Sequence, residues 1–404
     1  MGRFLITAQQ VLIGNDASPI HGGAVRVVDG RIAAVGTAAE LERSDDETRL
    51  DLGTATILPG FIDCHEHLNG HDRFAIGDAS VSEPDVMFAF VATFHGRRLL
   101  DEGITTARIV GCGPSHVDLQ LRRAIAEGYV EGPRLVCAGQ PIVMTGGHGH
   151  IHGYEVDGAA EATKAARRQL KAGVDLFKVM ASGGVGITRE GEEPSQPQLT
   201  VEEMSAVVAV AHAAGKRVTA HADGERGIGN ALEAGVDCIE HGIFLTHAQA
   251  VWMAEHNVDL VPTLSTMVGI FERGIEWGMP SSWIPIAEGI LGPHRASFQH
   301  ALDAGVNFGT GTDGFGEVVA EIEQFVSFGM PRYRAIQAAT RDAARVIGPL
   351  ADSYGTLESG KSADLIAVGG DPLDGLDSLR DVRLVMLEGK IVRSRDSEPA
   401  DPPR

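Results

Sequence analysis

Two histidines one residue apart, His65 and His67, carry the first chemical signal in this chain. In a strand, residues i and i+2 share a face, so both imidazoles can grip one ion. His221, His241 and Asp313 follow at wide spacing. Imidazole with carboxylate is a donor set for zinc and related divalent ions. Lys178 is the sixth candidate, because it interrupts the apolar stretch 176–181. An unpaired ammonium buried there would be costly, and neighbouring cations would repel it. Taken alone, Lys178 reads as a snorkelling side chain or one half of a structural salt bridge. Beside five ligand candidates it reads as a lysine that deprotonates, takes up CO₂ and bridges two metals as a carbamate anion. Two ions about 3.5–4 Å apart can share a hydroxide and make it a nucleophile at neutral pH. Asp313 can take a proton from the water and hand it to a leaving nitrogen. The chemistry implied is hydrolysis of an amide-type carbon–nitrogen bond.

For these side chains to converge, the secondary-structure elements must bring them to one mouth. Eight apolar runs read as strands: 57–67, 104–110, 134–138, 176–181, 217–222, 238–241, 259–264 and 306–313. Helical patterns intervene, as at 159–172 and 201–214, the latter opened by Thr200 with Glu203 three residues on, a capping box. Short buried strands alternating with amphipathic helices imply an α/β fold with a parallel sheet, and eight of them predict a (β/α)8 TIM barrel. His65, His67, His221, His241 and Asp313 then stand at strand C-terminal ends, where barrel active sites lie. A doubly wound sheet would need a Gly-rich phosphate turn after its first strand, and His65-Glu66-His67 stands there instead. Both chain ends are β-rich, with hairpin turns at Asp29-Gly30 and Glu388-Gly389. They predict a small discontinuous β-sandwich domain. The expected division is sandwich 1–56, barrel 57–350, sandwich 351–396 and a polar, Pro-rich tail 397–404.

Composition narrows the partners. Among 404 residues, 34 are Lys or Arg and 55 are Asp or Glu, a formal net charge of −21. Such a surface repels phosphate, which argues against nucleic acid and anionic membrane as partners. Hydrophobic content of 43% supports a packed globular core rather than disorder. The four cysteines form no C-x-x-C, so neither a disulfide framework nor a Cys-based zinc site is expected. No apolar run reaches about 18 residues, and the N-terminus lacks a signal-peptide pattern. The expectation is a cytoplasmic protein acting on a small-molecule substrate.

With these residues in view, the sequence resembles the amidohydrolase superfamily over nearly its whole length. The likeness rests on Leu58-Pro-Gly-Phe-Ile-Asp-Cys-His-Glu-His67, His221, Glu240-His241-Gly242, Gly311-Thr-Asp313 and the return stretch from Gly355 to Leu365. Within it, Phe177-Lys178, Ser182-Gly183-Gly184-Val185 and Ala234-Gly-Val-Asp-Cys-Ile-Glu-His241 are similar to the imidazolonepropionase-like branch. That branch includes metal-dependent Xaa-Pro dipeptidases and carboxypeptidases. The resemblance implies two divalent ions, with zinc expected. One would take His65, His67 and Asp313, the other His221 and His241, with carboxylated Lys178 bridging them. It also implies a homo-oligomer, and places His148, in the loop Gly146-Gly-His-Gly-His150, near the substrate carbonyl or carboxylate. One position departs from the dipeptidase-like pattern: two residues after His221, where a tyrosine is expected, stands Asp223. An anion there opposes a substrate carboxylate. Arg226 could compensate it, or be a solvated charge at a helix start. The segment 263–293 could be an apolar lid, an oligomer contact or plain packing.

The reading is a binuclear amidohydrolase that cleaves an N-acyl amino acid, a dipeptide or a related amide by a metal-activated hydroxide. Alternatives are a cyclic amide hydrolase, a carbamate or urea hydrolase, a mononuclear deaminase using Glu225, and a metal-stabilised binding protein.

Overall fold

The computed structural model of the chain describes residues 2–41, 46–68, 85–113, 115–186, 191–348 and 352–395. The expected tail, 397–404, lies outside them. Its middle is a TIM-barrel-like α/β fold. Seven parallel strands position the chemistry: β1 (Phe61–Glu66), β2 (Ile104–Ile109), β3 (Arg134–Cys137), β4 (Phe177–Met180), β5 (Val218–Ala222), β6 (Cys238–His241) and β7 (Asp259–Val261). Strands β1, β2 and β3 form one sheet, and β4 to β7 pair in sequence order in another. Every residue of β1, β2, β4, β5, β6 and β7 is buried, as expected of strands covered on both faces.

Two strand expectations change. The run 57–67 is two strands, because Gly60 breaks it. A Cβ at Gly60 would stand 2.2 Å from Thr105 Oγ1, and its N–H donates to the Asp364 carbonyl at 3.1 Å. The first half, Ala55–Pro59, therefore leaves for a different sheet. The run 306–313 forms only a single parallel bridge, Leu260 to Phe308. It still lies between β7 and β1: Gly309 N–H donates to Leu260 at 3.0 Å, and Cys64 N–H to Thr310 at 2.8 Å. Glycines 309 and 311 explain both the close approach and the lost regularity, since a Cβ at Gly311 would meet Val261 at 2.5 Å and His65 at 2.7 Å.

After β3 the chain makes two further short strands, Ile142–Met144 and Tyr154–Val156, which hold the glycine–histidine segment between them. Around the strands lie α1 (Val201–Ala213), α2 (Glu225–Ala234), α3 (Leu264–Arg273), α4 (Trp283–Ala304) and α5 (Val318–Ser327), among other helices. The expected capping box of α1 is present: Glu203 N–H donates to Thr200 Oγ1 at 3.2 Å, and Thr200 N–H to Glu203 Oε2 at 2.8 Å. The segment 263–293 folds as α3 and the start of α4. Its Met267, Met279 and Trp283 bury against Val185 and Ile243.

The chain ends pair. Ala55–Pro59 lies between Gln10–Val11 and Leu365–Gly369 in a six-stranded sheet that continues through Val382–Leu387 to Lys390–Ser394. A second sheet of four strands comes from the first 51 residues. Ile6, Val25, Val27, Ile57, Leu365, Ala367 and Met386 share one apolar cluster, so residues from both ends bury one another.

Candidate metal and catalytic site

His65, His67 and Asp313 form a near-regular triangle. His65 Nε2 and His67 Nε2 are 3.3 Å apart, and each lies 3.1 Å from Asp313 Oδ1. Donors held at about 2.0–2.1 Å from a tetrahedral zinc are separated by about 3.3 Å, so the triangle already has the spacing of three ligands. The other ring nitrogens are occupied. His65 Nδ1 faces Glu240 Oε2 at 2.8 Å, and His67 Nδ1 faces the Gly111 carbonyl at 3.2 Å. An N–H donated to each of these acceptors leaves both Nε2 lone pairs for an ion. Backbone fixes the carboxylate: Asp313 N–H donates to the His65 carbonyl at 2.7 Å, in a left-handed conformation with φ of 52°. Next to it, Thr312 Oγ1 donates to Asp63 Oδ2 at 2.6 Å.

His221, Asp223 and His241 form a second group, in which one donor atom of each lies within 4.8 Å of the others. The register pairs Ala222 of β5 with His241 of β6, so the two strand ends are adjacent. His241 Nδ1 bonds Thr263 Oγ1 at 2.7 Å, and His221 Nε2 donates to the Gly183 carbonyl at 2.9 Å, leaving one nitrogen of each ring available. His241 and Thr263 both have positive φ, 66° and 51°. Left-handed backbone at non-glycine residues concentrates at functional sites, where the surroundings hold it in place. The histidine rings link the two groups: His65 and His241 have centroids 4.8 Å apart, His221 and His241 4.7 Å.

Lys178 is buried inside β4, 1% exposed. Burial lowers its pKa, against the attraction of Glu240 and Asp313. That favours the neutral amine, the form that reacts with CO₂. His148 stacks on His221 with centroids 4.4 Å apart. Gln198 Oε1 accepts its backbone N–H at 2.8 Å, and Gly184 makes room, since a Cβ there would stand 2.4 Å from the imidazole. Arg226, by contrast, is exposed on α2. It lines a separate surface depression of about 570 Å³ with Ser195, Glu225, Phe244 and Gln249. Seven ligand and catalytic candidates, His65, His67, His148, Lys178, His221, His241 and Asp313, thus join Asp223 in one place, and Arg226 stands outside it.

Sequence reasoning missed the charges behind the ligands. Arg108 is fully buried in β2 and donates to Glu240 Oε1 at 2.5 Å, and Thr219 Oγ1 donates to the same carboxylate. Burial opposes ionisation of Glu240, but Arg108 and His65 outweigh it and hold its carboxyl below the usual range. The signal was available: a charged residue inside an apolar strand marks Arg108 as it marked Lys178.

The electrostatics suit cations. Burial, reinforced by neighbouring cations, pushes His221 and His241 well below the ordinary histidine value and His148 down to about 4. Neutral imidazole is the ligating form. Burial also pushes Asp313 up, but the charge of His65 and hydrogen bonds from His65 and His67 hold it well below the usual carboxylate range. Asp223 Oδ1 and His148 Nδ1 are buried without a hydrogen-bond partner. Buried polar atoms are normally satisfied, and a bound ion or substrate would satisfy these two. The donor set therefore fits divalent ions.

Residues 56–392 match the amidohydrolase family. The chain belongs to that family. An ochratoxinase of Aspergillus niger is 29% identical over 93% of this chain and 83% of its own length. An imidazolonepropionase of Rhizorhabdus wittichii is 27% identical over 88% of this chain and 90% of its own. Among solved structures, a Xaa-Pro dipeptidase with methionine bound in its active site superposes with a TM-score of 0.87 at 31% identity, covering 97% of this chain and 100% of that one. This amidohydrolase is accordingly a hydrolase of carbon–nitrogen bonds in small molecules. Among its described residues no helix is long and apolar enough to cross a membrane.

Proposed function

We propose that this amidohydrolase is a binuclear enzyme cleaving a linear amide, an N-acyl amino acid, a dipeptide or a related compound, at the mouth of an eight-stranded barrel carrying a β-sandwich built from both chain ends. The observation that carries this reading is the ligand-spaced triangle of His65, His67 and Asp313 facing a second histidine group. His65, His67 and Asp313 would hold one ion and His221 with His241 the other, with carboxylated Lys178 between them. Such ions supply an activated water and polarise a carbonyl. The chain's own groups do the rest. Asp313, held ionised by the two histidines, takes a proton from the attacking water and returns it to the departing nitrogen. His148, neutral at pH 7, hydrogen-bonds the substrate carbonyl oxygen as charge develops on it. Glu240, fixed by Arg108, keeps the His65 ring in the tautomer whose Nε2 is free.

The ochratoxinase and the dipeptidase support an amide substrate. The imidazolonepropionase likeness supports cyclic amides as the second reading, and the buried Lys178 favours the binuclear, linear-amide reading over it. Elemental analysis after zinc-replete expression tests this: close to two ions per chain is expected, with turnover in a panel of N-acyl amino acids, dipeptides, carbamates and ureas. K178A should lose one ion and most activity. Full retention of both would end the bridging assignment.

A further inference from the structure

We infer that Asp223 is a protein ligand of the second ion, so that each ion is gripped by two imidazoles and one aspartate. This rests on the two-ion reading above and adds a residue that it leaves out. The first argument is spacing. His221-Ala222-Asp223 at the end of β5 repeats the one-residue gap of His65-Glu66-His67 at the end of β1. Strand periodicity therefore turns Asp223 to the side that His221 occupies. The second is convergence: its carboxylate, His221 and His241 lie within 4.8 Å of one another, across two adjacent strand ends. The third is an unmet demand. Asp223 is 1% exposed, its Oδ1 has no hydrogen-bond partner and its Oδ2 lies 3.5 Å from His221 Nε2, although Ser182 Oγ accepts its backbone N–H at 2.8 Å and holds the residue in place. An exposed aspartate would be satisfied by water, whereas a buried one facing two histidines needs a cation or a donor. Two histidines with one carboxylate leave open positions, the arrangement of catalytic rather than structural zinc.

With Asp223 added to Asp313, a carbamate and one hydroxide, four negative charges balance two divalent ions. A formally neutral centre has little pull on a substrate carboxylate, so the carboxylate of an N-acyl amino acid or dipeptide would have to be held away from the ions.

The test is metal binding, independent of turnover. Zinc-replete wild type, D223A and D223N are counted by elemental analysis and titrated against a chromophoric chelator. Losing an outer support of a metal site weakens binding by about 10–100-fold. Loss of a ligand should exceed that for one ion and leave the other near its wild-type affinity, with the retained ion reporting a folded chain. Should D223A fail to fold, the isosteric D223N carries the measurement, since an amide oxygen is a much weaker donor. Two ions at unchanged affinities, or a loss within about 10–100-fold, overturns ligation by Asp223. The latter outcome makes it a supporting group. A wild type holding one ion that D223A loses keeps Asp223 as a ligand and ends the two-ion reading. One ion held equally by both proteins overturns both.

Discussion

Arg108 and Glu240 are an ion pair with almost no water near it, their side chains 2% and 0% exposed. Removing one member of such a pair leaves a naked charge, which typically costs about 3–5 kcal/mol, whereas replacing both costs far less. R108M should therefore lower unfolding free energy in urea by about that amount. R108M/E240Q should recover most of it while leaving His65 without its anionic support. Its zinc affinity should stay weakened when its stability returns, separating support of the fold from support of the ligand. Thr263 offers a gentler probe. It accepts from His241 Nδ1–H at 2.7 Å in the tautomer that leaves Nε2 free, and T263V keeps the β-branched shape at the same positive φ. The expected result is a fall in zinc affinity of about 10–100-fold with little change in stability. An unchanged affinity would mean that Thr263 does not orient the ring.

Helix α3 begins without a side-chain cap of its own, and Glu321 of α5 supplies one from outside. Its carboxylate accepts the Leu264 and Ser265 N–H groups at 2.9 and 2.7 Å. Burial raises its pKa from 4.5 to about 7, with those bonds opposing the rise. The folded protein then holds this proton over a range where the unfolded chain has released it. The contribution is fully present below pH 4.5 and is lost as pH climbs through 7, a difference of about 3 kcal/mol. E321Q cannot titrate. Denaturant midpoints across pH 4.5–8 should show wild type losing stability relative to E321Q over that window, and parallel profiles would remove the assignment. Elements of this kind also mark what the sequence disclosed. Periodicity and the Thr200–Glu203 box identified α1, and the strand-end positions of His65, His67, His221, His241 and Asp313 were legible because a strand's two-residue repeat is local. The break at Gly60 was hidden, since its cause is Thr105 arriving from β2. The bond from Glu321 to α3 and the pairing of Arg108 with Glu240 were hidden likewise, because they join residues 56 or more positions apart. The convergence of Asp223 with His221 and His241 was hidden too, because it needs the neighbouring strand β6 in place.

At the scale of the whole chain, the proposed ligands tie together distant segments: β1, β4, β5, β6 and the run ending at Asp313. His65, His67 and Asp313 lie within about 3.3 Å of one another, while the buried Asp223 Oδ1 and His148 Nδ1 have no hydrogen-bond partner. An ion that binds only the folded state stabilises it by mass action, about 2.7 kcal/mol when free metal is at 100 times its dissociation constant. Chelation should therefore lower the melting temperature of the whole molecule, and graded zinc should restore it continuously. A net charge of −21 adds an independent term, self-repulsion of the compact state, which salt screens over about 10 Å at 0.1 M. Added sodium chloride should thus raise the melting temperature of the chelated and the zinc-loaded protein alike, leaving the gap between them nearly unchanged because the buried site is shielded from mobile ions. A gap that collapses in salt would place the bound metal at the acidic surface instead of the strand ends.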